Sequence, residues 1–473
     1  MNGSVVRIES ISVHNFKNVV NGEISLVNNR KDYESSIIGL YGQNGSGKTA
    51  LIDAIFLLKL ALSGQPMPAK YADYINVDAE HAELKYVLKI RNPKENSVYT
   101  VYYEFAIKKE AEESSQNAET IESDTEKFKV SIFNETLSYS YSGDGRGKDD
   151  NRKQKIIDTQ TDGVFIPKTK YDLLTNRNKS VTIDLLVAKK LAYATSRSFV
   201  FSKELLGALQ KNCKVAWHLF VFESLVYYGK YNLFVINTTN TALVSMNALP
   251  LAFRYQEKNM GAVGNLTIPL EGTAEIPQDA VELVKKLIQS MNIVLNQLVP
   301  GLTISIKALG VQTLENGRPG CRIELMSRKN SSEIPLRYES DGIKKIISIL
   351  QLLIVVYNKS SITVAIDELD SGVFEYLLGE LLRIISEKGK GQLVFTSHNL
   401  RPLETLDKGF IAFTTTNPQN RYIRLSNVKT NHNLRDFYYR DIVLGEQDED
   451  VYEQTNNYEI SLAFREAGEF SGA

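Results

Sequence analysis

The stretch GQNGSGKT (Gly42–Thr49) places glycines, a lysine and a threonine at the spacing of a loop that wraps a phosphate. Gly45 and Gly47 let successive backbone N–H groups turn toward one anion. A helix beginning after the loop adds its N-terminal dipole against the same charge. The Lys48 ammonium reaches the outer phosphates of a nucleotide, and the Thr49 hydroxyl suits the shell of a Mg²⁺ ion. The competing reading is a glycine-rich strand-to-helix turn followed by a chance Lys-Thr. The flanks argue against it, because IIGLY (Ile37–Tyr41) is a short apolar strand and Ala50–Leu62 has apolar residues at helical spacing. The candidate nucleotide-binding set is therefore Gly42, Asn44, Gly45, Ser46, Gly47, Lys48 and Thr49.

Three further segments carry groups that complement such a loop. SITVAIDELDSG (Ser361–Gly372) is an apolar strand ending in acids. Asp367 stands where a carboxylate would hold Mg²⁺ through water, with Thr49 as the second metal-side group. Glu368 is placed to orient or deprotonate an attacking water. The alternative is that these acids are only the polar end of a strand. QLVFTSHNL (Gln392–Leu400) is the next apolar strand and ends in His398, one of five histidines. The carboxyl ends of strands in open α/β sheets are where ligands bind, so His398 is a second candidate catalytic residue beside Glu368, although a single histidine is more often structural. In LRYESDGIKKIISIL (Leu336–Leu350), Ser340 caps a helix and Gly342 lies in its first turn. This is an ordinary capped helix, or a second phosphate-binding helix end. A second such end makes sense if it reaches the nucleotide of another copy of the chain.

The elements that must position these groups are legible along the chain. Val5–Val13 and Gly22–Val27 alternate as a strand pair, and Ala82–Ile90, Ser97–Lys109 and Lys127–Ser142 alternate as an antiparallel meander. The polar runs Glu110–Glu126 and Gly143–Lys155 read as solvated loops. Helices dominate between about Tyr171 and Leu298, the clearest being Val281–Val299, bounded by Pro277 and Pro300. Strands and helices alternate from Gly342 onward, which predicts a parallel sheet. The expected division is 1–164, an N-terminal lobe with the phosphate loop and meander; 165–300, an inserted helical lobe for assembly or partners; and 301–473, a lobe with the capped helix, the strand acids and His398.

The 473 residues carry a formal net charge of −1, so there is no global basic signal for nucleic acid. The clusters NRNK (Asn176–Lys179) and AKK (Ala188–Lys190) are local exceptions, and each reads equally as a solvated helix face. Two cysteines, Cys213 and Cys321, make neither a disulfide framework nor a zinc site. The N-terminal residues lack the apolar run of a signal peptide. The most apolar stretch, Ile346–Tyr357, is too short for a bilayer and reads as a buried helix. A cytoplasmic protein without membrane association is expected.

The motif order (phosphate loop, ESDG before a helix, AIDELDSG, FTSHN) resembles that of the ATP-binding-cassette class of ATPases. Within it the chain looks like the heads of SMC-type DNA-repair proteins and the OLD-like ATPases of prokaryotic anti-phage systems. The opening ISVHNFKN and the FNETLSY segment share that likeness, which covers about residues 5–142 and 302–415. The resemblance implies an α/β ABC-ATPase head with a mixed N-terminal β lobe, a parallel-sheet P-loop core and an inserted helical lobe. It implies ATP and Mg²⁺ as ligands and a homodimer of heads or a higher homo-oligomer. Ser340 and Gly342 would then act on the partner copy's γ-phosphate, with Asp370 nearby on the closing face. The short ESDG departs from the fuller transporter signature, and the absence of sustained heptads departs from long-armed SMC proteins.

Too few residues follow Ser426 for the nuclease domain of OLD enzymes, and the acids of GEQDEDVYE (Gly445–Glu453) read as a solvated surface. The resemblance therefore points to an ATPase whose effector is a separate toxic nuclease released by a phage-encoded trigger, as in the AriA-type ATPases of PARIS systems. The segment Asn431–Gln447 shares that likeness. The alternatives are an SMC-like DNA repair or recombination ATPase that binds DNA, and a scaffold that uses ATP only to hold copies together.

Overall fold

A computed structural model describes residues 3–28, 35–111, 128–143, 152–178, 180–237, 248–257, 260–315, 317–329, 332–425, 433–445 and 447–471. Most of the polar runs at 110–126 and 143–155 lie outside the described residues.

The first sheet is the predicted meander. Strands β1 (Val5–Phe16), β2 (Val19–Ser25), β4 (His81–Asn92), β5 (Ser97–Ala111), β6 (Phe128–Ser142) and β7 (Gln154–Asp158) pair antiparallel in the order β2-β1-β4-β5-β6-β7. Alternation sends Leu84, Tyr86, Leu88 and Ile90 of β4 inward beside Tyr99, Val101 and Tyr103 of β5. A period of two along each strand puts every second side chain on one face, which is what the alternating sequence requires.

The second sheet is the core that carries the chemistry. It contains β3 (Ser36–Tyr41), β8 (Leu233–Ile236), β15 (Thr363–Ile366), β16 (Gln392–Thr396), β17 (Ile411–Thr414) and β18 (Tyr422–Ile423), ordered β18-β17-β3-β16-β15-β8. All its pairings are parallel except β17 with β18. Near-continuous apolar runs such as TVAI and QLVFT suit strands covered on both faces. Helix α1 (Lys48–Ser63) packs on it from one side, and α7 (Asp341–Asn358) and α8 (Glu375–Lys388) belong to the apolar cluster on the other. The α/β fold class expected from the sequence is the one observed.

The stretch from 165 to 300 differs from the helical expectation. It holds α2 (Lys168–Thr175), α3 (Ser180–Ala194), α4 (Lys203–Asn212), α5 (Ala216–Tyr227) and α6 (Val281–Leu298), but also strands. Strand β8 pairs in register with β15, Leu233 opposite Thr363 through Ile236 opposite Ile366. The strands β9 (Ala248–Glu257) and β10 (Met260–Pro269) form a hairpin. The strand β11 (Thr273–Pro277) edges a sheet with β12 (Leu302–Thr313), β13 (Pro319–Lys329) and β14 (Ser332–Pro335). The LFVI run of β8 directly follows a helix and is too short to show a period, so only tertiary pairing distinguishes it from helix. The remaining helices are α9 (Arg401–Thr405), α10 (Leu434–Leu444) and α11 (Asn457–Ser471). No described helix is long and apolar enough to cross a membrane.

One buried charge marks a stability lever. Lys59 of α1 is buried, with its ammonium 5.5 Å from the Phe234 ring centre. Burial lowers its pKa from the ordinary 10.5 to about 8. The unfolded chain then binds more protons than the folded one between those values, so stability rises with pH through that window. Lys59→Met is expected to stabilise the fold by about 2–3 kcal/mol at pH 7. In thermal melts that gain is expected to shrink as pH rises from about 8 toward 10.5.

Candidate active site

The phosphate loop joins β3 to α1, the strand–loop–helix context the sequence predicts. Gly47 caps α1 in the left-handed region (φ 94°), no side chain caps the helix, and its first turn has no acid. Those N–H groups and the helix dipole are thus left for an external anion. Gly42 is required by close approach, since a Cβ there would collide with the Thr414 hydroxyl of β17. The Ser46 hydroxyl bonds that same Thr414 hydroxyl and also the Gln43 carbonyl (2.6 Å). Behind the loop, the buried Tyr422 hydroxyl donates to the Gly47 carbonyl at 3.0 Å.

The loop opens on a cavity of about 350 Å³ lined by Asn44–Ala50, Lys17, Asn18, Asp367, Glu368, Thr396 and His398. Lys48 folds back to donate to the carbonyls of Gly42 (2.7 Å) and Gln43 (2.9 Å). Burial lowers its pKa, against the opposing pull of Asp367, Glu368 and Asp370. Across the cavity, Thr49 Oγ1 lies 3.5 Å from Asp367 Oδ1. Asp367 is buried at the end of β15, and Thr396 at the end of β16 donates to its Oδ1 at 2.6 Å. Two adjacent parallel strands thus bring the Asp367 carboxylate and the Thr396 hydroxyl to one edge. A hydroxyl and a buried carboxylate facing each other beside a helix N-terminus that no side chain caps are an oxygen donor set suited to Mg²⁺ beside phosphate, and the residues fit that pair of ligands.

Glu368 has φ 49°, the left-handed region that a non-glycine residue occupies at a cost of about 1–3 kcal/mol. Its backbone is clamped on both sides. The N–H donates to Thr396 Oγ1 at 2.8 Å, and the carbonyl accepts from Lys345 Nζ at 3.3 Å. Lys345 is a buried ammonium of α7, brought to a pKa of about 8 by burial despite the opposing acids Asp370, Glu368 and Asp367. The strain holds the Glu368 carboxyl exposed on the cavity wall.

His398 is exposed and lines the cavity. Asp370 Oδ2 fixes its loop by accepting the N–H groups of His398 (3.0 Å) and Asn399 (2.9 Å). The Asp370 carboxylate, which the resemblance placed near a closing face, thus has work within its own chain. Ser340 caps α7, accepting the Ile343 N–H at 3.4 Å. Ser340 and Gly342 do not line this cavity. Gly342 packs on the turn after Glu368, where a Cβ would meet the Gly372 carbonyl oxygen at 2.5 Å. Gly342→Ala must push two backbones apart, at a cost of about 1–3 kcal/mol. The expected result is a melting point lower by a few degrees.

Several residues here were not singled out from the sequence. Lys17 and Asn18 line the cavity. Lys17 pairs with the buried Asp53 of α1, and its ammonium lies 4.2 Å from the Tyr74 ring centre. Their signal was the NFKN turn, read only as part of a likeness. Thr396 lay in the quoted FTSHN, and Lys345 lay one turn into a helix whose later turns read as largely apolar. The acids Asp448, Asp450 and Glu453 are exposed as expected, yet Val451 is buried, and the Glu453 N–H donates to Gln43 Oε1 of the phosphate loop at 2.8 Å.

The family model described as an AAA domain matches residues 10–208. No curated protein matches the chain. Among solved structures the chain is similar to an SMC head domain from Thermotoga maritima (14% identity, 89% of this chain, 99% of that one, TM-score 0.35). It is also similar to the Smc head domain with a coiled coil and joint from Pyrococcus yayanosii (11%, 92% and 100%, 0.39). A third likeness is to the recombination mediator protein RecF with ATP (14%, 83% and 94%, 0.34). At that level of superposition no activity or partner is carried across.

Proposed function

We propose that this chain is an ABC-type ATPase head that binds ATP with Mg²⁺ at the cavity of Gly42–Thr49 and hydrolyses it. The observation that carries the reading is the convergence of Lys48, Thr49, Asp367, Glu368 and His398 on one cavity from three parallel strands and one helix N-terminus. The loop N–H groups and Lys48 bind the phosphates, and Thr49 and Asp367 hold Mg²⁺. The bound metal supplies Lewis-acid charge to phosphoryl oxygens. Glu368 takes a proton from water at its carboxylate, and His398 contacts the outer phosphate or that water. Purified protein should turn over ATP with Mg²⁺ and stop when EDTA removes the metal. Metal-independent turnover, or none, overturns the reading.

Two heads closing face to face put Ser340 and Gly342 on the partner's nucleotide. Their placement away from their own cavity, on a capped helix N-terminus, supports that role. The helices of 165–300, outside the strand β8 that belongs to the core sheet, serve assembly or partner binding.

The likeness to OLD-like ATPases supports a further step: the protein controls a separate nuclease effector in cytoplasmic anti-phage defence, and a phage protein triggers release. Copurification with the Glu368→Gln chain in ATP tests it. A nuclease-like partner supports the step, whereas DNA with repair proteins moves the reading to an SMC-like repair ATPase. Lys189, one of the candidate DNA-facing cations, instead donates to the carbonyls of Thr159, Thr161 and Gly163 at 2.7–2.9 Å.

A further inference from the structure

Two helices leave apolar stripes uncovered. On α3, Ile183, Val187 and Leu191 recur every four residues and are 70%, 59% and 55% exposed. On α11, Ile460, Ala463, Phe464 and Ala467 share one face, all are exposed, and Phe464 reaches 76%. Each helix has 15 residues, about 22 Å at the α-helical rise. Stripes at this spacing normally face a core, and neither does so here.

The charges around the two stripes are opposite. Residues 168–214, around α3, hold ten Lys and Arg against three Asp and Glu. Residues 445–473, around α11, hold eight Asp and Glu against one Arg. The two segments thus carry equal and opposite excesses of seven in a chain whose net charge is −1. The match extends to the stripes: Lys190 is exposed on the face of Ile183 and Leu191, and Glu459 and Glu466 flank the apolar face of α11. The α3 stripe ends at a cavity of about 290 Å³ where Ala188, Leu191 and Ala192 meet Arg197, Lys203 and one acid, Glu204, so its charged lining is two cations against one acid.

We propose that α11 of one copy docks along α3 of a second copy, with Phe464 entering the cavity beside Leu191 and the acids of α11 facing Lys190, Arg197 and Lys203. Within one chain both stripes are exposed, and α11 is separated by only residues 454–456 from Glu453, which Gln43 holds. A second copy supplies the complementary face, and a two-fold pair makes the contact twice. This interface is separate from closure of the nucleotide sites and needs no ATP. It does place the anchor of α11 against the phosphate loop of its own chain.

The test is sedimentation of the full chain without nucleotide, at about 1–50 µM, the range where a contact of this size shows its equilibrium. The expected result is a species of at least twice the 53.2 kDa chain mass, weakened by added salt through screening. Phe464→Glu and Val187→Glu, each on a solvent-exposed position, should each weaken association at least about tenfold with the melting point unchanged. The double variant Leu191→Cys with Phe464→Cys, whose native cysteines are buried, should form a disulfide between chains on oxidation. A chain that stays at 53.2 kDa, an association that survives both single substitutions, or a disulfide closed within one chain would overturn the proposal.

Discussion

Lys48→Ala is expected to lose ATP binding by roughly 30- to 150-fold in a direct titration, about 2–3 kcal/mol for a charge-assisted contact. The ammonium is the one strong cation of the phosphate loop, and it is already held over the cavity by the carbonyls of Gly42 and Gln43. Removing it takes those two hydrogen bonds from the loop, a loss offset by the desolvation cost of the ammonium. Burial disfavours the charge of Lys48, and the substitution relieves that cost in the protein alone. The melting point without nucleotide should therefore change little while the shift produced by ATP disappears. An unchanged affinity would remove the loop from its assigned role.

Glu368→Gln should separate binding from chemistry. The side chain is exposed on the cavity wall, and the contacts that place it are made by its backbone to Thr396 and Lys345. Replacing carboxylate by amide keeps those contacts and the shape, but an amide cannot accept the proton of water. General-base catalysis contributes about 10²–10⁴ in rate, so turnover should fall by at least about a hundredfold while ATP affinity stays within a few-fold. Turnover near that of the parent protein would take Glu368 out of the reaction.

Most of this site is legible in local sequence because its chemistry depends on local geometry. Gly42–Thr49 specifies a strand–loop–helix turn, and the acids after TVAI and the His398 turn after QLVFT mark strand ends. What stays hidden is set by contacts distant in sequence. Thr396 matters because β16 lies beside β15, and Lys345 because α7 crosses under the Glu368 turn. Gly342 matters because the Gly372 carbonyl approaches it, and β8 exists because β15 offers an edge. Thr396 and Gly342 do lie in the motifs FTSHN and ESDG, but neither motif shows which distant group its residue meets. Asp370 illustrates the same limit from the other side. The resemblance implied a place near a closing face, and only the fold shows it accepting two N–H groups from the His398 loop.

The most direct measurement is complementation between two inactive chains. Lys48→Ala removes the phosphate cation but keeps Ser340 and Gly342, while Ser340→Arg keeps the cavity but blocks the capped helix end. Each alone should hydrolyse little ATP. Mixed in equal amounts, they form one complete site from the cavity of one chain and the helix end of the other. Nucleotide turnover well above the sum of the separate proteins is the predicted result. Turnover no greater than that sum, with association of the two chains demonstrated in the same sample, would contradict a site shared between copies.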